Sequence, residues 1–200
     1  MYVKRKDYRM RITTAKLLAA ALAAALFAMT FCISSAWGSS ENQKELESSD
    51  PVFTQIDCET FDGERFTAAD LKDAKLTVFN VWETTCPACL GEMPDLEKLL
   101  KKHGTDDFQL VGVCADLYDK DGDLKAQRLE KAKGQMEKAG ATFPHIIPDE
   151  AFSSYIHSVV IAYPTTFLVD SDGNLIASTC GAKSMDEWEE YIYNQLEELP

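Results

Sequence analysis

Histidine is scarce in this chain of 200 residues, and the three present, His103, His145 and His157, form no local pair. A structural zinc site draws four ligands, usually from two Cys-x-x-Cys units or from cysteine and histidine at short spacing. One Cys-x-x-Cys is present, and the other four cysteines (Cys32, Cys58, Cys114 and Cys180) are scattered singly. The ligand spacing of a zinc site is therefore missing, and no metal or other cofactor is expected. Basic charge is short as well: 20 Lys and Arg stand against 33 Asp and Glu, a net charge of −13. Nucleic-acid binding relies on lysine and arginine to displace counterions from phosphates, so no such partner is expected. Acidity of this kind serves solubility. No internal repeat is visible, and the length suits one ordinary domain with appendages.

The charge that is present lies unevenly. Residues 1–36 hold six basic residues and the single acid Asp7, a net +5 that leaves −18 on the remainder. The basic tip runs into LLAAALAAALFAMTFCI, Leu17 to Ile33, and no charge follows until Glu41. Two fates fit this segment. It is either a signal peptide cut near Ser34–Ala36, where small residues stand at the −3 and −1 positions, or a retained anchor, since ~20 apolar residues cross a bilayer. Lysine and arginine on its N-terminal side hold that end in the cytoplasm, so the body is exported either way. Lipid attachment at Cys32 fits poorly, because MTFC lacks small residues ahead of the cysteine. Residues 37–50, WGSSENQKELESSD, are polar with little to bury and read as a flexible tether. Residues 51–200 are then the folded domain, held at the extracytoplasmic face of the membrane, or released if the leader is cut.

Within that domain, Val52 to Asp73 reads as a short hairpin turning at Asp62-Gly63. KLTVFNVW, Lys75 to Trp82, is dense in β-branched and aromatic residues and predicts a buried strand. After Cys86 the period changes: Cys89, Met93, Leu96, Leu99 and Leu100 recur at three- and four-residue spacing, an amphipathic helix ending near His103-Gly104. Phe108 to Asp116 is a second buried strand, and a charged helix is expected from about Leu124 to Ala139. TTFLVDSDGNLIAST gives two strands joined at Asp172-Gly173-Asn174, and the last helix opens with Ser184 and Glu187 as a capping box. A βαβ unit followed by ββα implies an α/β fold: a central mixed sheet flanked by helices, with an N-terminal hairpin and a helical insert.

The Cys-x-x-Cys sits in VWETTCPACLGEMP, Val81 to Pro94. As a structural staple it would close a very small loop and restrict little of the unfolded chain. Its placement favours redox chemistry. Cys86 stands where strand gives way to helix, with Pro87 at the first helical position. The positive end of the helix dipole and the free N–H groups there favour thiolate over thiol. The thiolate is the attacking form, so Cys86 is the candidate nucleophile. Cys89, one turn deeper, is the candidate resolving thiol.

The stretch VFNVWETTCPACLGEMPDL resembles the active-site segment of thioredoxin-fold proteins, in particular the membrane-anchored TlpA/ResA-like thiol-disulfide oxidoreductases. Trp82 four residues before the first cysteine, Pro94 five after Cys89, and YPTTFLVDSDGNLI carry the likeness, which runs from about residue 51 to 199. The resemblance implies a thioredoxin-like fold, a redox-active Cys86–Cys89 disulfide, and a cis-proline at Pro164. Trp82, Pro87, Tyr163, Pro164 and Thr165 would form the docking surface, the backbone beside Tyr163 pairing with an extended substrate segment. Glu92 matches an acid that ResA-like members carry beside the cysteines and is a candidate proton partner of Cys89. The implied partners are exported proteins with cysteine pairs, apocytochrome c being the family's best-known client, with electrons from a membrane thiol donor.

The chain departs from the family in having Thr85 where a second tryptophan usually stands. It also has Asn80 where thioredoxins proper keep a buried aspartate. Reduction of clients is favoured over oxidation on resemblance alone. A thiol peroxidase of the peroxiredoxin group shares the fold, but NVWETTC lacks its proline. A copper chaperone would need three residues between the cysteines. Of the remaining side chains, Cys114 is expected in the core, Glu83 pointing outward, Trp188 and Tyr191 in the core, and all three histidines at the surface. Cys58 and Cys180 are open between exposed and paired.

Overall fold

The computed structural model describes residues 51–199. The leader, the tether and Cys32 lie outside the described residues. In chain order the elements are α1 (Pro51–Thr54), β1 (Asp57–Thr60), β2 (Arg65–Thr67), a 3-10 turn (Asp70–Asp73), β3 (Leu76–Trp82), α2 (Pro87–His103), β4 (Phe108–Cys114), α3 (Ala126–Ala139), β5 (His145–Ile147), α4 (Glu150–Val159), β6 (Thr165–Asp170), β7 (Leu175–Cys180) and α5 (Met185–Glu198).

All seven residues of β3 are buried, as its run of β-branched and aromatic residues predicts for a strand covered on both faces. The strands order β2-β1-β5-β4-β3-β6-β7. Strands β3, β4 and β5 run parallel, and every other pairing is antiparallel. Side chains alternate across a strand, and β3 shows the result. Leu76, Val78 and Trp82 join a core built with Cys89, Met93, Leu96 and Leu99 of α2, Ala132 of α3, and Trp188 and Ile192 of α5. Phe79 and Val81 join the opposite core with Val52 and Phe53 of α1 and Phe152, Tyr155 and Ile156 of α4. Helices thus cover both faces of one mixed sheet. Among the described residues no helix is long and apolar enough to cross a membrane.

The expected hairpin, charged helix and terminal ββα unit are present, and α5 carries both halves of its capping box. Three elements depart from the sequence expectation, the first being α1, a short helix over Pro51–Thr54 where the hairpin reading began at Val52. Strand β5 is three residues long between Pro144 and Pro148, too short to show a period. Helix α4, EAFSSYIHSV, is rich in serine and β-branched residues with weak helix preference. Asp149 caps its start by accepting from the Phe152 amide at 2.8 Å, and burial of its apolar face does the rest.

Candidate active site at the start of the second helix

Helix α2 begins where the sequence requires. Cys86 is its N-cap in extended conformation, and Pro87 follows at the first helical position. The chain leaves the helix at Gly104, whose φ of 76° suits glycine. Cys86 and Cys89 are joined as a disulfide. The Cys86 Sγ also accepts the Cys89 amide at 3.1 Å, so an unpaired N–H of the first turn points at the sulfur. Cys86 is partly exposed and Pro87 and Ala88 are exposed, whereas Cys89 is fully buried. A partner can reach only the first sulfur.

Glu92 lies one turn beyond Cys89 on the same face and is 3% exposed. Its Oε1 accepts from Asn80 Nδ2 at 2.8 Å; its Oε2 accepts from the Lys183 amide at 3.1 Å and Trp188 Nε1 at 3.2 Å. Burial pushes its pKa above the ordinary carboxylate value, and these donors, with the Lys183 charge, offset only part of the shift. Asn80 turns its N–H2 to the carboxylate and to Thr166 Oγ1 at 3.1 Å, while its own Oδ1 has no partner among the described residues.

The Tyr163–Pro164 peptide is cis. Pro164 and Thr165 are buried and Tyr163 is half-buried. The loop is fixed by Thr165 Oγ1 donating to Ala162 O at 2.7 Å and by the Gly181 amide donating to Pro164 O at 2.8 Å. Among the described residues the Tyr163 backbone takes no hydrogen bond. Burial, and after it the nearby Glu83 carboxylate, push the Tyr163 phenol up to about 12. Glu83 is half-buried, and its carboxylate accepts from Thr85 Oγ1 at 3.4 Å. Ile161, two residues before Tyr163, is 94% exposed.

Trp82 corrects an expectation. The resemblance implies a place on the docking surface, but Trp82 is wholly buried, its Nε1 donating to His145 Nδ1 at 3.1 Å. The strand period points it into the core, and no partner touches it there. His145 is itself buried, stacked on Phe143, and opposite Gly112, where a Cβ would lie 2.2 Å from the imidazole. Burial lowers its pKa to about 3. Of the three histidines only His157 is exposed; His103 is half-buried between Glu189 and Tyr193. Cys114 is in the core as expected, Cys58 is buried and free, and Cys180 is exposed and free. Trp188 is core, and Tyr191 flanks it half-buried.

Sequence reasoning missed the grip on Thr84, two residues before Cys86. Its amide donates to Asp116 Oδ1 at 3.0 Å and its hydroxyl to Asp116 Oδ2 at 2.6 Å. From α3, Gln135 Nε2 donates to its carbonyl at 3.0 Å and Lys131 Nζ to its hydroxyl at 3.3 Å. These partners are 32 to 51 positions away in sequence, and no local pattern joins them.

The AhpC/TSA family model matches residues 51–178, more than half of the chain. The chain belongs to the AhpC/TSA family. Family relatives include the thiol-disulfide oxidoreductase ResA of Bacillus cereus, 28% identical over 167 residues that cover 82% of this chain and 87% of that protein. The thioredoxin-like protein YneN of Bacillus subtilis is 29% identical and covers 66% of this chain and 72% of its own length. Among solved structures, a thiol:disulfide interchange protein of the thioredoxin family from Chlorobium tepidum aligns with a TM-score of 0.57 and 26% identity, covering 70% of this chain and 92% of that one. The expected thioredoxin-like fold holds. In this family member an accessible sulfur sits on a helix N-terminus with a buried partner sulfur one turn deeper, an arrangement suited to disulfide exchange.

Proposed function

We propose that the protein is a thiol-disulfide oxidoreductase that reduces cysteine pairs of other exported proteins. The observation that carries this reading is the Cys86–Cys89 pair at the N-cap of α2, with the Cys86 sulfur on the Cys89 amide. The names of the relatives support it. In the reducing direction, the Cys86 thiolate attacks one sulfur of a client disulfide, and the other client sulfur leaves as a thiolate. Cys89 then loses its proton and attacks Cys86 Sγ. The Cys86–Cys89 bridge forms and the second client sulfur leaves. Two electrons pass to the client, and the two protons lost by the dithiol end on its thiols.

Glu92, buried one turn from Cys89 with a raised pKa, is the residue proposed to take the Cys89 proton. Pro87, Tyr163, Pro164 and Thr165 are proposed to receive the client segment. The unpaired Tyr163 backbone supports strand-like pairing, and the exposed Ile161 adds an apolar contact. Export, an N-terminal anchor or cleaved leader, a membrane thiol donor, and apocytochrome c as client belong to the same proposal and rest on the sequence. A Cys89→Ala chain expressed in cells should hold clients as mixed disulfides on Cys86. Captured partners that are exported cysteine-pair proteins support the reading; capture of cytosolic enzymes alone contradicts it.

A further inference from the structure

The insert helix α3 buries only Ala132 completely, yet it reaches the turn that delivers Cys86. Thr84 is 4% exposed, and each of its polar atoms is held. Asp116, beyond the end of β4, takes the amide and the hydroxyl hydrogens. Lys131 and Gln135 of α3 supply the hydroxyl and the carbonyl with donors. The Cys86 amide donates to Glu83 O at 3.1 Å across this same residue, so the place of Thr84 sets the place of the sulfur relative to the Cys89 amide. Gln135 carries a second signal. Its Oε1 is buried and has no hydrogen-bond partner among the described residues, which costs stability. A half-buried amide whose one bond among the described residues is donated to the Thr84 carbonyl is poorly explained by packing.

We propose that Gln135 is a positioning residue for the attacking thiol, acting through the Thr84 carbonyl, so that the helical insert sets the reactivity of Cys86. The proposal rests on Cys86 being the attacking sulfur. Without the Gln135 donor the turn loosens, Cys86 Sγ leaves the Cys89 amide part of the time, and the thiolate loses stabilisation.

The test is peptide-resolved iodoacetamide alkylation of Cys86 in the reduced full chain across a pH series. Unsubstituted chain, Gln135→Met, Thr84→Val and Thr142→Val are compared. Gln135→Met is expected to slow Cys86 by ~3–10-fold near neutral pH and to recover the unsubstituted rate at high pH, where every thiol is ionised. Thr84→Val should shift the profile the same way by a smaller factor. Thr142→Val removes the hydroxyl hydrogen bond to Glu97 at the far end of the insert and should lower stability while leaving the Cys86 profile in place. Coincident profiles for Gln135→Met and the unsubstituted chain overturn the proposal, as does an equal shift in Thr142→Val. If Gln135→Met does not fold, the comparison is made with Gln135→Glu, which also removes the donor to the Thr84 carbonyl, and an unshifted profile for that variant overturns the proposal. Absence of a reversible bridge to Cys89 in the unsubstituted chain sinks the functional reading itself, a result separate from any variant.

Discussion

Each half of helix α2 buries one carboxylate, and the two are held differently. Glu97 is 4% exposed and accepts from the Thr142 amide and hydroxyl, each at 2.7 Å, and from Lys101 Nζ at 3.0 Å. Burial alone would raise its pKa, but these donors and the ammonium outweigh burial, and the carboxyl sits below its ordinary value. Glu92 also accepts three donors, all N–H groups without direct contact to an ammonium, and burial wins. The lesson is that a buried acid with a cation in contact is committed to its charge and can only hold structure. A buried acid without one remains able to trade a proton. Glu97 ties α2 to the insert, and Glu92 stands one turn from Cys89.

The largest expected effect breaks this contrast at its chemical end. Cys86→Ser should lower disulfide-exchange activity by ~10⁴-fold or more, since removing an attacking group usually costs that much, while the unfolding midpoint stays near that of the parent. Loss of fold in place of loss of activity would mean that the N-terminal half of α2 is as structural as the C-terminal half.

Next in size is the acid sensitivity of the core near Glu97, whose charge acts on His145. The folded pKa of His145 is about 3 against an ordinary 6.5, so its contribution is fully present above 6.5 and is lost as pH falls toward 3. The loss is on the order of 5 kcal/mol across that window. Glu97, with a lowered pKa, acts in the same sense and loses its contribution as pH falls below its ordinary value. Glu92 has the opposite sign: its raised pKa favours the folded state most at acid pH, and that advantage fades as pH rises through the raised value. Urea unfolding across a pH series should show a steep fall on the acid side; a flat profile there contradicts the burial of a neutral His145.

Trp82 comes third. Trp82→Ala should cost ~3–5 kcal/mol in urea unfolding, as expected for a large core truncation, and the Trp82–His145 bond goes with it. A loss of client capture without a loss of stability would return Trp82 to the docking surface. The smallest effect sharpens the two-carboxylate contrast directly. Thr142→Val should cost ~1–3 kcal/mol by leaving Glu97 under-satisfied, with exchange kinetics unchanged. Glu92→Gln should alter the pH dependence of the resolving step measured by stopped-flow reoxidation. If both variants change kinetics alike, the halves of α2 do not divide the work.

The sequence carried most of this fold in local signals: the period change at Cys86, Pro87 at the helix start, the Asp172-Gly173-Asn174 turn, and the capping box at Ser184. Strand β5 was illegible because three residues between prolines show no period, and α4 because burial of Phe152, Tyr155 and Ile156, not propensity, makes it a helix. At the site, the cysteine pair and Glu92 could be read from spacing and resemblance. The partners of Glu92, namely Asn80, Lys183 and Trp188, and the hold on Thr84 are long-range side-chain bonds. The burial of Trp82 is hidden for a related reason: closeness in sequence to Cys86 says nothing about which face of β3 a residue occupies.

Ionisation of Cys86 at the start of α2 is tested most directly against another thiol in the same molecule. In the reduced full chain, alkylation of Cys86 and of Cys180, an exposed free cysteine at the end of β7 that caps no helix, is followed by peptide mass across pH. Cys86 should reach half its maximal rate at distinctly lower pH than Cys180. Equal midpoints, or a higher one for Cys86, would contradict the helix-start origin of its reactivity.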